Sequence, residues 1–184
     1  MQKPRSRFWH FGYPWGSTAQ AGIMAQSAVD LSNLPAIENP GRIEILISKW
    51  YPELTNSLAE TCARVLRNHG FSDVRIHTLP GSLELPLAAA DLLSTDTAEE
   101  IDAVVCFGVI LKGETLHFEM ITNECMRGLG EVMRQYRRPV IVEILPVLEM
   151  AHAEARAGDD EFNKGFEAAA AAIEMIAWRR SVLI

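Results

Sequence analysis

Cysteine is scarce. Cys62, Cys106 and Cys125 are the only three in 184 residues, with no CxxC and no Cys/His ligand spacing. An odd, scattered set argues against a disulfide framework and against a zinc site, and suits reduced thiols in a cytoplasm. Basic charge is also short: 17 Lys and Arg face 24 Asp and Glu, a net charge of −7. Nucleic acid needs a basic stripe, so it is excluded as the main partner. A small anionic substrate is not excluded, because local charge decides that. No apolar run reaches the roughly 18 residues of a membrane span. Lys3, Arg5 and Arg7 precede no continuous apolar segment, so the start is a poor secretory signal. Internal repeats are absent. What remains is a chain 48% hydrophobic, of a length that suits one domain.

Residues 1–41 stand apart. Phe8, Trp9, Phe11, Tyr13 and Trp15 crowd the beginning, and Ser, Ala, Gly and Pro dominate up to Gly41. Disordered tails are poor in aromatics. Two readings stay open: an extended arm whose aromatics find a groove on a neighbouring subunit, or a tail ordered in part or not at all.

The folded domain, 42–184, starts at Arg42. The pattern predicts a strand over 42–48 and a helix entered at Pro52 and closed by Gly70, with Leu54, Leu58, Cys62, Val65 and Leu66 on one face. It then predicts a strand at 74–78, a turn at 79–84 into a helix to about Leu93, and an apolar strand at 101–107. A helix over about 115–136, a strand over 139–145 ended by Pro146, a helix over 147–157 and an alanine-rich helix over 162–178 complete the chain. Strand and helix alternate throughout. The class is therefore α/β, with a parallel sheet covered by helices on both faces.

In such sheets ligands sit beyond the carboxyl ends of the strands. Four stretches lie there: Lys49-Trp50, Pro80 to Glu84, Val109 to His117, and Leu145 to Val147. Trp50 offers a flat π-face and Glu84 a carboxylate. The third stretch combines a Gly-containing turn, the start of a helix, Lys112, Thr115 and the titratable His117. Free N–H groups at a helix start hold anions, and a histidine moves protons near neutral pH. A substituted heteroaromatic ring beside a phosphate fits this set. The plainer alternatives are a capped helix with a surface His117 and a core Trp50. Glu119 and Glu124 read as surface charges. His69 suits a helix C-terminus, while His77 and His10 show no partner pattern.

The motifs Pro80-Gly81-Ser82-Leu83-Glu84-Leu85-Pro86, Gly108 to Glu119 (GVILKGETLHFE), Arg156-Ala157-Gly158 and Asn163-Lys164-Gly165 occur in this order. Together they resemble the lumazine synthase family, collinearly from about Arg42 to Trp178. The resemblance implies a flavodoxin-like three-layer αβα sandwich with a four-stranded parallel sheet. It implies condensation of 5-amino-6-(D-ribitylamino)uracil with 3,4-dihydroxy-2-butanone 4-phosphate to 6,7-dimethyl-8-ribityllumazine, without metal or organic cofactor. It also implies pentamers whose active sites are shared between adjacent subunits, in some members closed into 60-subunit shells. Riboflavin synthase is a candidate partner.

By that resemblance Trp50 stacks on the pyrimidine ring. Ser82, Leu83 and Glu84 hold the ring and ribityl chain, and Val109, Ile110 and Leu111 line the floor. Val142 flanks the ring from the adjacent subunit. Glu114 and Thr115 fall on the phosphate turn, Arg156 is the phosphate-binding arginine from the adjacent subunit, and Lys164 lies near that pocket. His117 falls on the proton-transfer position. Leu83 and Val142 stand where many members carry aromatics, Glu143 and Pro146 where small residues or Thr are common, and Ala155 where an acid often precedes the arginine. A binding module for flavin or lumazine and a shell-forming scaffold are the alternative functions. The short 158–165 connection permits a shell, while the long arm and the Asp159-Asp160-Glu161 run favour a free pentamer.

Overall fold

Ile43, Ile45 and Ile47 alternate with Glu44 and Leu46, and this period of two makes Arg42–Ser48 (β1) a strand with two faces. The computed structural model describes residues 29–183. The elements that follow are α1 (Pro52–Asn68), β2 (Val74–Leu79), a 3₁₀ turn (Ser82–Glu84), α2 (Leu85–Thr95), β3 (Ile101–Leu111) and α3 (His117–Tyr136). The last three are β4 (Val140–Val147), α4 (Met150–Ala157) and α5 (Lys164–Val182). The four strands form one parallel sheet in the order β2-β1-β3-β4.

The odd-numbered β1 isoleucines pack with Leu58, Cys62 and Leu66 of α1 and Ala169, Ala172 and Ile173 of α5. On the other face Leu46 and Cys106 pack with Leu85 and Ala89 of α2 and Cys125 and Leu129 of α3. This is the expected three-layer sandwich. Glu44, fully buried within β1, is paired: Arg42 Nε and His77 Nε2 each lie 2.7 Å from its carboxylate. His77 thus has a partner that no local pattern announced.

Several boundaries depart from the sequence reading, the last helix among them, which runs to Val182. β3 does not end at Phe107 but runs to Leu111, so Gly108 is a strand residue opposite Ile144 and not part of a turn. β4 continues through Pro146, which sits opposite Ile110. A missing N–H is tolerated there because β4 is an edge strand. α4 begins at Met150, not at Val147.

Residues 29–41 lie along this chain's own domain. Leu31, Leu34 and Ile37 pack against the α1/α5 side, and Pro35 O is 2.8 Å from His69 Nε2. The aromatic run at positions 8–15 lies outside the described residues. All three cysteines are buried and free. Among the described residues no helix is long and apolar enough to cross a membrane.

Candidate active site

β1, β2 and β3 end side by side, and their connections enclose a cleft of about 470 Å³. Trp50 follows β1 directly and is 60% exposed, so it is not core. Its neighbour Tyr51 caps the start of α1 with φ 55°, a left-handed conformation rare for an aromatic residue. That turn sends the chain into Pro52 and leaves the indole over the cleft. From β2 the chain passes Pro80 and Gly81 into the 3₁₀ turn, placing Ser82, Leu83 and Glu84 on the second wall. Val109, Ile110 and Leu111, the last residues of β3, form the third side, and His117 and Ile121 of α3 the fourth.

The close approach of β3 to the 3₁₀ turn explains Gly108. A Cβ there would stand 2.5 Å from Ser82 Oγ and 3.2 Å from Ile144 Cδ1. Gly81 also lies against the site: a Cβ there would stand 2.9 Å from Glu84 Oε2, the movable end of that side chain, and 3.6 Å from the Trp50 indole. Cys125, buried beneath the turn, donates its thiol to Ser82 O at 3.0 Å.

Between β3 and α3 the turn at 112–116 is open. Glu114 and Thr115 are exposed, and Leu116, at the N-cap position, makes no side-chain cap hydrogen bond. Thr115 Oγ1 is 3.4 Å from His117 N, and Lys112 reaches Glu119 at 3.4 Å across the turn. Unsatisfied N–H groups at the positive end of a 20-residue helix form a place for an anion. His117 stands at that helix start, beside the cleft.

Eight of the thirteen sequence-predicted residues therefore line one cleft: Trp50, Ser82, Leu83, Glu84, Val109, Ile110, Leu111 and His117. Glu114 and Thr115 sit on the adjoining turn. Val142, Arg156 and Lys164 do not reach this chain's cleft. Val142 packs with the α2/α3 face of the core. Arg156 lies in the last turn of α4 and donates from Nη1 to His152 O at 2.8 Å. Lys164 opens α5 and pairs with Glu167 at 2.5 Å. Sequence reasoning missed Tyr51 and Ile121 as cleft residues. Ile121 follows His117 by four positions, the spacing that puts two side chains on one helix face, and so was within reach.

The sequence model of the 6,7-dimethyl-8-ribityllumazine synthase family matches residues 40–180. The chain belongs to that family. Among similar proteins are the 6,7-dimethyl-8-ribityllumazine synthases of Stenotrophomonas maltophilia strains K279a and R551-3. Each is 36% identical over 137 residues, covering 73% of this chain and 86% of the relative. Every cleft-lining residue falls inside the stretch that the lumazine synthase family model matches.

A further ionisable group lies off the cleft, on β4. Burial raises the Glu143 carboxyl to about 7; Lys164 pulls it down and Glu167 pushes it up, but both act less than the loss of water. Burial also raises the Cys125 thiol, to about 11, with the Glu84 charge adding to it.

Proposed function

We propose that this chain condenses 5-amino-6-(D-ribitylamino)uracil with 3,4-dihydroxy-2-butanone 4-phosphate, releasing 6,7-dimethyl-8-ribityllumazine, phosphate and water, in the cleft between Trp50 and His117. One observation carries the assignment of the site. Four segments far apart in sequence, Trp50, 82–84, 109–111 and His117, converge on a single cleft at the strand ends. The indole supplies a stacking face, and Ile110 and Leu111 supply an apolar floor for a flat ring. Glu84 accepts hydrogen bonds from ribityl hydroxyls. The open turn at 112–116 takes the phosphate against the start of α3.

The reaction joins an amine to a ketone and expels phosphate, so protons must move at nitrogen and at oxygen. His117 stands between the ring cleft and the anion turn, where both events occur, and general acid–base help of this kind contributes about 10²–10⁴-fold. Holding two substrates in reacting geometry supplies much of the remainder. Leu83 replaces an aromatic wall by an aliphatic one, which leaves Trp50 as the principal π-contact.

Among the described residues, the cleft formed by one chain is lined by neither Arg nor Lys, although one substrate is a phosphate ester. Lys112, the first residue of the anion turn, is engaged with Glu119. This supports a site completed by a neighbouring copy, with Val142, Arg156 and Lys164 presented across an interface beside the open edge of β4. The functional unit is then at least a ring of five, and the short 158–165 connection leaves closure into a larger shell sterically open. The catalytic domain is 42–184, with 1–41 as an extension, working in the cytoplasm and passing its product to riboflavin synthase. Formation of lumazine from the two substrates, followed by absorbance, tests the reading. Wild type is expected to turn over, and His117→Ala is expected to lower kcat by about 10- to 10³-fold with native secondary structure. Undiminished turnover in the variant removes His117 from the mechanism.

A further inference from the structure

We infer that Cys125 is a positioning residue for the pyrimidine substrate: its thiol, by hydrogen bonding to the Ser82 carbonyl, sets where the 82–84 turn stands in the cleft. The inference rests on the site proposed above and adds a residue that lines no part of it.

The 82–84 turn is a single 3₁₀ turn, a form with poor hydrogen-bond geometry that seldom holds its own position. Gly81, ahead of it, offers no side-chain cap. The carbonyl that closes the turn is Ser82 O, which accepts the N–H of Leu85. The same carbonyl accepts the Cys125 thiol at 3.0 Å from 43 residues away. Cys125 is fully buried, two helical turns beyond His117 on the same face of α3, with Ile121 between them. The contact therefore registers the helix that carries the proton-transfer residue against the turn that carries the ribityl acceptor.

Two further features fit this role. On the β3 side, Ser82 abuts Gly108, where an added Cβ would stand 2.5 Å from Ser82 Oγ, so the turn is held between β3 and α3. And since burial, with the Glu84 charge behind it, holds the thiol protonated far above neutral pH, the donor is present throughout the working range. Near neutral pH the thiol is in its neutral form. What it retains is its hydrogen.

Steady-state kinetics with each substrate varied in turn test this on the full chain. Cys125→Ala, and Cys125→Val, which fills the space without a donor, are expected to raise KM for the ribitylaminouracil about 5- to 10-fold, the effect of one lost hydrogen bond. KM for the butanone phosphate is expected to stay within about twofold. Cys125→Ser, which keeps a donor, is expected to restore most of the loss and remains informative if the Ala variant fails to fold. Glu84→Gln serves as the reference. Native pyrimidine KM in Cys125→Ala and Cys125→Val, or an equal loss for both substrates, while Glu84→Gln raises pyrimidine KM, overturns the positioning role alone. If Glu84→Gln is also silent, the site assignment falls with it.

Discussion

Gly108→Ala should damage the cleft without replacing a residue that lines it. The added Cβ would lie 2.5 Å from Ser82 Oγ, about 1 Å inside normal contact, and 3.2 Å from Ile144 Cδ1. Rotating Ser82 about χ1 relieves the oxygen and leaves its Cβ at 3.4 Å, an ordinary contact, so what remains tight is the 3.2 Å approach to Ile144 Cδ1. Over-packing of this kind costs about 1–3 kcal/mol of stability. The cheapest relief is to push the 82–84 turn outward, and a shift of about 1 Å in a positioning segment costs up to about 10²-fold in kcat/KM. Thermal unfolding and steady-state kinetics read the two effects. The double variant Gly108→Ala/Ser82→Ala removes the clashing oxygen and should recover about 1 kcal/mol relative to the sum of the single variants, a coupling expected of residues in contact. A Gly108→Ala variant of native stability and native pyrimidine KM, or a double variant with purely additive losses, would refute the clamp between β3 and the turn.

Further expectations concern charge and assembly. Arg156→Ala should raise KM for the butanone phosphate about 10- to 10²-fold, from a lost charge-assisted contact of about 1.5–3 kcal/mol, and leave the pyrimidine little changed; equal losses would make Arg156 structural. Mixing inactive Arg156→Ala and Glu84→Gln subunits should restore part of the activity, since some interfaces then carry both native halves; no recovery after verified subunit exchange contradicts the shared site. Glu143 has a folded pKa of about 7 against an ordinary 4.5, so the folded state holds its proton more tightly than the unfolded one. The carboxyl then costs nothing below about pH 4.5, stability falls as pH rises towards 7, and above 7 the cost is complete, at most about 3 kcal/mol. Denaturant titrations should show Glu143→Gln stabilised at pH 8 and not at pH 4.5, and a variant that parallels wild type at every pH would contradict this.

What was legible in the sequence was local. The β1 alternation gave its limits at Arg42 and Ser48, and Pro52 marked the start of α1. Trp50, Glu84 and His117 were found because a strand end followed by an unneeded aromatic or ionisable residue is informative without any long-range knowledge. What was not legible depended on contacts across the fold. Gly108 looks like turn punctuation, yet its reason is Ser82, which approaches from another connection. Pro146 looks like a strand terminator, yet β4 is an edge strand and accepts it. His77 found Glu44 on the adjacent strand, and Cys125 found Ser82 from 43 residues away, pairings that no short-range pattern encodes. Val142, Arg156 and Lys164 lie away from the cleft of their own chain, a separation that no local pattern shows and that the family resemblance implies for Val142 and Arg156.

The central claim is that condensation occurs in the cleft between Trp50 and His117, completed by a second copy. A structure of the assembled protein with an unreactive ribitylaminouracil analogue tests it most directly. The ring is predicted to lie against the Trp50 indole above Ile110 and Leu111, with ribityl hydroxyls on Glu84 and a neighbouring subunit's Arg156 at the 112–116 turn. An analogue bound elsewhere, or a complete site formed within one chain, would contradict the account.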